Sequence, residues 1–215
     1  MSYKTIPAQF LYIGAAGEHH VMSECFRNCY EAFKLPIDKG FDLVVTRAYV
    51  HFDAGIDSHL PADEAPIYLQ VKSRQVRLTV PDNPAERPYW EGCFYIKPAE
   101  LDLLIRTSNS ALACVLFFHN QSEYMQSRTA IAWWMPSEQL AELRSDHFLE
   151  SKDSENLELW VRYRDLAIAS TSRQNEYVGL RKQSGSMNAK PGELANGKLI
   201  APECFDFGKL SAKAR

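Results

Sequence analysis

The segment "YLQVKSRQV" (residues 68–76) predicts a β-strand that carries two polar side chains inside an apolar run. Successive side chains of a strand point to opposite faces, so Gln70 and Lys72 share one face, and Leu69 and Val71 share the other. A solvent-facing surface would explain an isolated polar pair of this kind. Whether the amide and the ammonium group serve a function therefore depends on what the rest of the chain places beside them.

The rest of the chain predicts an alternation of helices and strands. Apolar residues at three- and four-residue steps indicate helices, and β-branched or aromatic runs between turn residues indicate strands. The predicted helices cover residues 17–33, 99–107, 137–146 and 156–169, and the predicted strands cover residues 41–50, 67–76, 92–97, 111–120 and 129–136. Ser137 is predicted as the N-cap of the third helix. This order predicts an α/β or α+β fold with a mixed central β-sheet flanked by helices.

The charge distribution separates the end of the chain from its body. Residues 171–215 contain eight Lys or Arg against four Asp or Glu, a net charge of +4, so the total of -3 leaves -7 for residues 1–170. Gly, Ser, Asn and Lys dominate the basic segment, which predicts a loosely ordered tail. We therefore expect one domain over residues 1–170, ending in a helix, and an irregular C-terminal extension over residues 171–215.

Composition places the chain among globular proteins of the cytoplasm. Of its residues 46% are hydrophobic, yet they form no run of about 18 apolar residues, the length that a membrane span needs. The polar start "MSYKTIPAQ" lacks the pattern of a signal peptide. The five cysteines are odd in number and lie mostly in apolar surroundings, which favours reduced thiols. We expect a cytoplasmic protein without membrane contact.

Two acidic residues join the polar pair as candidate site residues. Glu18 falls on the apolar stripe of the first predicted helix, and Asp42 lies at the start of the first predicted strand. Two acids, an amide oxygen and a lysine are suited to phosphodiester hydrolysis with a hard divalent cation, because Mg²⁺ prefers oxygen ligands. In this interpretation Asp42 and the Gln70 oxygen bind the metal, and Glu18 holds one of its waters. Lys72 orients the attacking water or offsets charge on the phosphate.

These residues also carry a resemblance to a known family. The segment "GAAGEHHVMSECFRNCYEAFKLPIDKGFDLVV", followed by "YLQVKSR", resembles the core of the PD-(D/E)XK nuclease superfamily, which includes restriction endonucleases and Holliday junction resolvases. Members have a helical Glu, a strand Asp and an acid-x-Lys motif on the next strand. The matching positions are Glu18, Asp42 and Lys72, with Gln70 in place of the acid. The resemblance covers roughly residues 10–120.

The resemblance implies a restriction endonuclease-like core, Mg²⁺ or Mn²⁺ as cofactor and DNA as the nucleic-acid partner. The expected reaction is hydrolysis of phosphodiester bonds by a water nucleophile. Because duplex cutting usually involves two active centres, a homodimer is consistent with this activity. Gln70 departs from the motif by removing one negative charge, and a catalytically inactive module that binds nucleic acid or a protein partner is therefore the main alternative.

Other interpretations exist for several of these residues and segments. Glu18 could begin a helix, where acids favour the positive end of the dipole, and Asp42 could be a turn residue. The stretch "FLYIGAAGE" could begin a cofactor-binding fold as a strand, turn and helix, although the full glycine motif is absent. Cys25 and Cys29, with the neighbouring histidines, could bind zinc, although their spacing on a helix is unlike that of structural zinc sites.

Overall fold

The fold is an α/β arrangement of nine strands and three helices within the residues that the structure describes. The computed structural model describes residues 7–28, 30–36, 40–46, 66–80, 82, 89–119, 130–151, 155–164 and 177–180. The helices are α1 (Pro7–Arg27), α2 (Pro98–Arg106) and α3 (Ser137–His147). The strands are β1 (Glu31–Lys34), β2 (Leu43–Thr46), β3 (Ile67–Thr79), β4 (Tyr89–Ile96), β5 (Ser110–His119), β6 (Ala130–Pro136), β7 (Phe148–Glu150), β8 (Leu157–Arg164) and β9 (Tyr177–Leu180).

The sheet is mixed, and β3 is the strand that joins its two parts. β1 and β2 pair antiparallel, β2 and β3 pair antiparallel, and β3 pairs parallel with β5, which pairs antiparallel with β6. The C-terminal end of β3 pairs antiparallel with β4, which begins the second part of the sheet. In that part β8 pairs antiparallel with β4, β7 and β9. The predicted mixed central sheet is therefore confirmed.

Helices cover both faces of the central strands, which explains the unbroken apolar run in β5. Leu112, Cys114 and Leu116 belong to a core with residues of α2 and α3, whereas Ala113 and Val115 belong to a second core with residues of α1. A strand that is buried on both faces carries apolar residues at every position. The prediction of a buried central strand over residues 111–120 is confirmed for β5.

Two predicted helices are wrong in extent or type. The first helix spans Pro7–Arg27 instead of residues 17–33, and Glu31–Lys34 form β1. Because residues 10–18 are helical, the strand–turn–helix interpretation of "FLYIGAAGE" is also wrong. The predicted helix over residues 156–169 is the strand β8 as far as it is described. Its apolar residues also alternate with period two, and pairing with β4 selects that periodicity.

Smaller differences concern a cap and the C-terminal segment. The N-cap of α3 is Pro136, and the Ser137 hydroxyl instead donates a hydrogen bond to the Ser108 carbonyl at 3.3 Å. The predicted N-cap role of Ser137 is therefore wrong. Within the basic segment 171–215, Tyr177–Leu180 form β9 and pair with β8; the remainder of that segment lies outside the described residues. No helix in the described ranges is long and apolar enough to cross a membrane.

Gly17 allows α1 to approach β3 closely enough to position Glu18. A Cβ atom at Gly17 would lie 2.5 Å from the Ser73 Cβ and 2.7 Å from its Oγ. Ser73 also fastens the helix, because its hydroxyl donates a hydrogen bond to the Ile13 carbonyl at 2.8 Å. The position of α1 on the sheet therefore depends on the absence of a side chain at residue 17.

We expect Gly17→Ala to lower the free energy of unfolding by about 1–3 kcal/mol, because the added methyl group must push α1 away from Ser73. Gly14→Ala is the matched control, since a Cβ there meets nothing within 4 Å. It should raise stability by up to ~1 kcal/mol through helix propensity alone. Urea unfolding of both variants measures the difference. Equal stability of the two variants would contradict this account of helix packing.

Candidate functional site

Asp42 lies at the end of the β2–β3 pairing and connects the two strands through its side chain. Its backbone N–H donates to the Leu69 carbonyl at 2.8 Å. Its Oδ2 accepts hydrogen bonds from the Val71 backbone N–H at 2.6 Å and from Gln70 Nε2 at 2.8 Å. The Asp42 carboxylate thus takes the place of a main-chain acceptor at the end of the β2–β3 ladder.

Gln70 is buried and leaves one polar atom without a hydrogen-bond partner among the described residues. The residue is 4% exposed, and its Nε2 is used by Asp42. Its Oε1 is buried and accepts no hydrogen bond. An unsatisfied buried acceptor is costly, and such atoms in native proteins call for a ligand, a water or an ion. Since Oε1 and Nε2 are bonded to the same carbon, this free acceptor lies close to the Asp42 carboxylate.

Lys72 lies on the same face of β3 as Gln70 and reaches a residue that the sequence did not single out. Its Nζ donates to Glu100 Oε2 at 3.0 Å, and the two side chains are 24% and 22% exposed. Glu100 stands in the first turn of α2, where an acid is common because of the helix dipole. Because an acid is ordinary at that position, Glu100 gives no functional signal in the sequence. The packing of α2 on the sheet is what brings Glu100 to Lys72.

Glu18 approaches the sheet from α1 and forms an ion pair with a second residue that the sequence did not single out. Glu18 Oε2 lies 2.6 Å from Lys34 Nζ, and the Glu18 side chain is 18% exposed. The hydrogen bond and the charge of Glu18 raise the pKa of the Lys34 ammonium, and the charge of Asp42 acts in the same direction. The carboxylates of Glu18 and Asp42 therefore share the field of one lysine.

The four predicted site residues lie at one end of the β1–β2–β3 ladder, as one contacting pair with a further residue on either side of it. Asp42 and Gln70 are in direct contact. Glu18 pairs with the Lys34 ammonium, which also lies in the field of Asp42, whereas Lys72 pairs with Glu100 of α2. The sheet edge thus brings Asp42 and Gln70 together and leaves Glu18 and Lys72 on opposite sides of that pair. The catalytic roles assigned to the four residues stay predictions.

The donor set fits a hard divalent cation. The oxygen donors at this place are the Asp42 carboxylate, the Gln70 Oε1, which has no hydrogen-bond partner among the described residues, and, after release from Lys34, the Glu18 carboxylate. Mg²⁺ is commonly held by one or two carboxylates and completes its coordination with water. Across the described part of the chain, no three His, Cys, Asp or Glu residues are grouped to hold a metal ion. Any cation at this end of the sheet would therefore rely on the neutral Gln70 oxygen and on water.

The fold and this site together define an α/β protein with a polar centre at the edge of a mixed sheet. Comparisons with protein-family models, with curated proteins and with solved structures found no match to the chain.

Proposed function

We propose that the protein is a metal-dependent nuclease with a restriction endonuclease-like core, which hydrolyses phosphodiester bonds of DNA. The observation that carries this proposal is the contact between Asp42 and Gln70 on neighbouring strands, beside a buried Gln70 oxygen that has no partner in the described residues. The mixed sheet with helices on both faces supports the proposed core. The proposal includes DNA as the nucleic-acid partner and a homodimer as the assembly.

The residues divide the proposed reaction between metal binding and charge compensation. Asp42 and Gln70 Oε1 would hold Mg²⁺ or Mn²⁺, and the cation would supply an activated water and offset charge on the phosphate. Glu18 would accept a hydrogen bond from a water of the site. The Lys72 ammonium would orient the attacking water or stabilise negative charge that develops on the phosphate. Its 3.0 Å contact with Glu100 limits the positions that the ammonium can take.

A non-catalytic module that binds nucleic acid or a protein partner is the second candidate, and charge pairing favours it. Both Glu18 and Lys72 already have an oppositely charged partner, Lys34 and Glu100 respectively. Gln70 also contributes no charge to bind a cation. If these pairs are permanent, the site can stabilise the sheet edge without performing chemistry.

Cleavage assays with Asp42→Asn distinguish the two candidates. The wild-type protein should cut single-stranded, duplex or branched DNA in Mg²⁺ or Mn²⁺ and should lose this activity in a chelator. Asp42→Asn keeps an oxygen that can accept from the Val71 N–H but removes the charge, so we expect cleavage to fall by ~10²-fold or more. DNA binding without cleavage under all metal conditions would favour the non-catalytic module, and full activity in Asp42→Asn would contradict the proposed metal site.

A further inference from the structure

Lys34 forms an ion pair with one of the two carboxylates that the proposed nuclease needs for its metal, and it lies in the field of the other. Its Nζ lies 2.6 Å from Glu18 Oε2, and its β1 position pairs with Leu43, the residue that follows Asp42. The next residue of the chain fixes this arrangement, because the Leu35 N–H donates to the Asp42 carbonyl at 2.8 Å. Strand pairing therefore places residue 34 next to Asp42 along the ladder, and the Lys34 side chain reaches Glu18.

An ammonium group and a hard divalent cation would satisfy the same oxygens. Two nearby carboxylates repel each other, and a cation between them relieves that repulsion. Lys34 supplies one positive charge, whereas a divalent ion supplies two. A divalent ion can also bind the buried Gln70 oxygen, which has no partner among the described residues. The Lys34 ammonium, paired with Glu18 on the α1 face, leaves that oxygen unsatisfied. The unsatisfied oxygen beside Asp42 is an independent indication that the arrangement with Lys34 is incomplete.

The two lysines of the site differ in how readily they can move. The Lys34 side chain is 56% exposed at the end of an edge strand, whereas that of Lys72 is 24% exposed and is covered by α2. Water can hydrate the Lys34 ammonium as soon as it leaves Glu18, so its displacement costs little. Lys34 is therefore the cation that can leave, and Lys72 is the one that stays.

We propose that Lys34 is a built-in competitor of the divalent metal: it neutralises Glu18 and Asp42 in the metal-free protein and must be displaced from Glu18 when the metal binds. This proposal rests on the proposed function, because it assigns a role to Lys34 at the same site. It makes Lys34 the residue that sets the metal affinity.

Direct measurement of Mn²⁺ binding tests the competition without reference to catalysis. Titration followed by the electron paramagnetic resonance of free Mn²⁺ should give about tenfold tighter binding for Lys34→Gln than for wild type, because Mn²⁺ no longer has to displace an ammonium group from Glu18. Lys34→Arg keeps the charge and should bind Mn²⁺ as wild type does. Arg106→Gln is the matched control: it removes one positive charge at an exposed position at the end of α2 and should also leave the affinity unchanged.

A second readout uses stability. Without metal, Lys34→Gln should melt at a lower temperature than Arg106→Gln, since Glu18 and Asp42 lose their shared counter-charge, and Mn²⁺ should restore more of its stability. Equal or weaker Mn²⁺ binding by Lys34→Gln, with Mg²⁺-dependent cleavage intact, would overturn the role of Lys34 and leave the proposed function standing. Absence of Mn²⁺ binding in every variant would overturn both.

Discussion

Lys72→Ala is expected to lower the single-turnover rate of DNA cleavage by about 10³-fold while the protein stays folded. Helix α2 holds the Lys72 ammonium in place through the 3.0 Å contact of its Nζ with Glu100 Oε2. Its truncation removes the positive charge that would stabilise the phosphate as negative charge develops. Glu100, which is 22% exposed, can be hydrated after the loss of its partner, so the cost in stability should be small.

Two companion variants separate the charge of Lys72 from its placement. Glu100→Gln leaves the ammonium in the site but removes its ionic partner, and we expect a smaller loss of rate, about tenfold, from the looser position of the charge. Lys72→Arg restores the charge with a different geometry and should recover part of the activity. Wild-type cleavage by Lys72→Ala would remove the proposed mechanism, whereas equal losses in Lys72→Ala and Glu100→Gln would mean that the pair acts as a unit.

The second large effect is expected from Gln70→Glu, which introduces a carboxylate next to Asp42. In the absence of metal this change should lower the free energy of unfolding by about 3 kcal/mol at neutral pH. The residue is 4% exposed, and its Nε2 now donates to Asp42 Oδ2 at 2.8 Å, so the new carboxylate would be buried against another carboxylate. Gln70→Met is the control, because it removes the hydrogen bond without adding charge and should cost only about 1 kcal/mol.

The loss of stability caused by Gln70→Glu should depend on pH and on metal in a defined direction. Burial and the charge of Asp42 would raise the pKa of the introduced carboxyl in the folded protein, so the protonated form is favoured on folding. The destabilisation should therefore be absent at pH values below the ordinary carboxyl pKa, and should grow as the pH rises from that value to the raised one. Mn²⁺ should restore stability to Gln70→Glu more than to wild type, as followed by thermal unfolding. A metal-free Gln70→Glu protein as stable as Gln70→Met at neutral pH would contradict the geometry assigned to this pair.

Local patterns predicted the central elements well. The strand over residues 111–120 was evident because both of its faces are apolar, and α2 was evident from its helical period after Pro98. Elements whose type depends on a distant partner were not predictable in the same way. β1 is four residues long, and its Phe33 continues the helical spacing of the preceding apolar residues. The pattern of β8 is compatible with a helix as well as a strand, and its pairing with β4 makes it a strand.

By itself, the sequence determined which residues share a face, because strand alternation is a local property of the backbone. It placed Gln70 and Lys72 together, opposite Leu69 and Val71, and the structure confirms that placement. The ion pairs, in contrast, depend on the tertiary structure. Lys72 pairs with Glu100, which is 28 residues away, and Glu18 pairs with Lys34. The physical reason is that an ion pair forms between side chains brought together by sheet pairing and helix packing, and neither is encoded in the spacing of the residues along the chain.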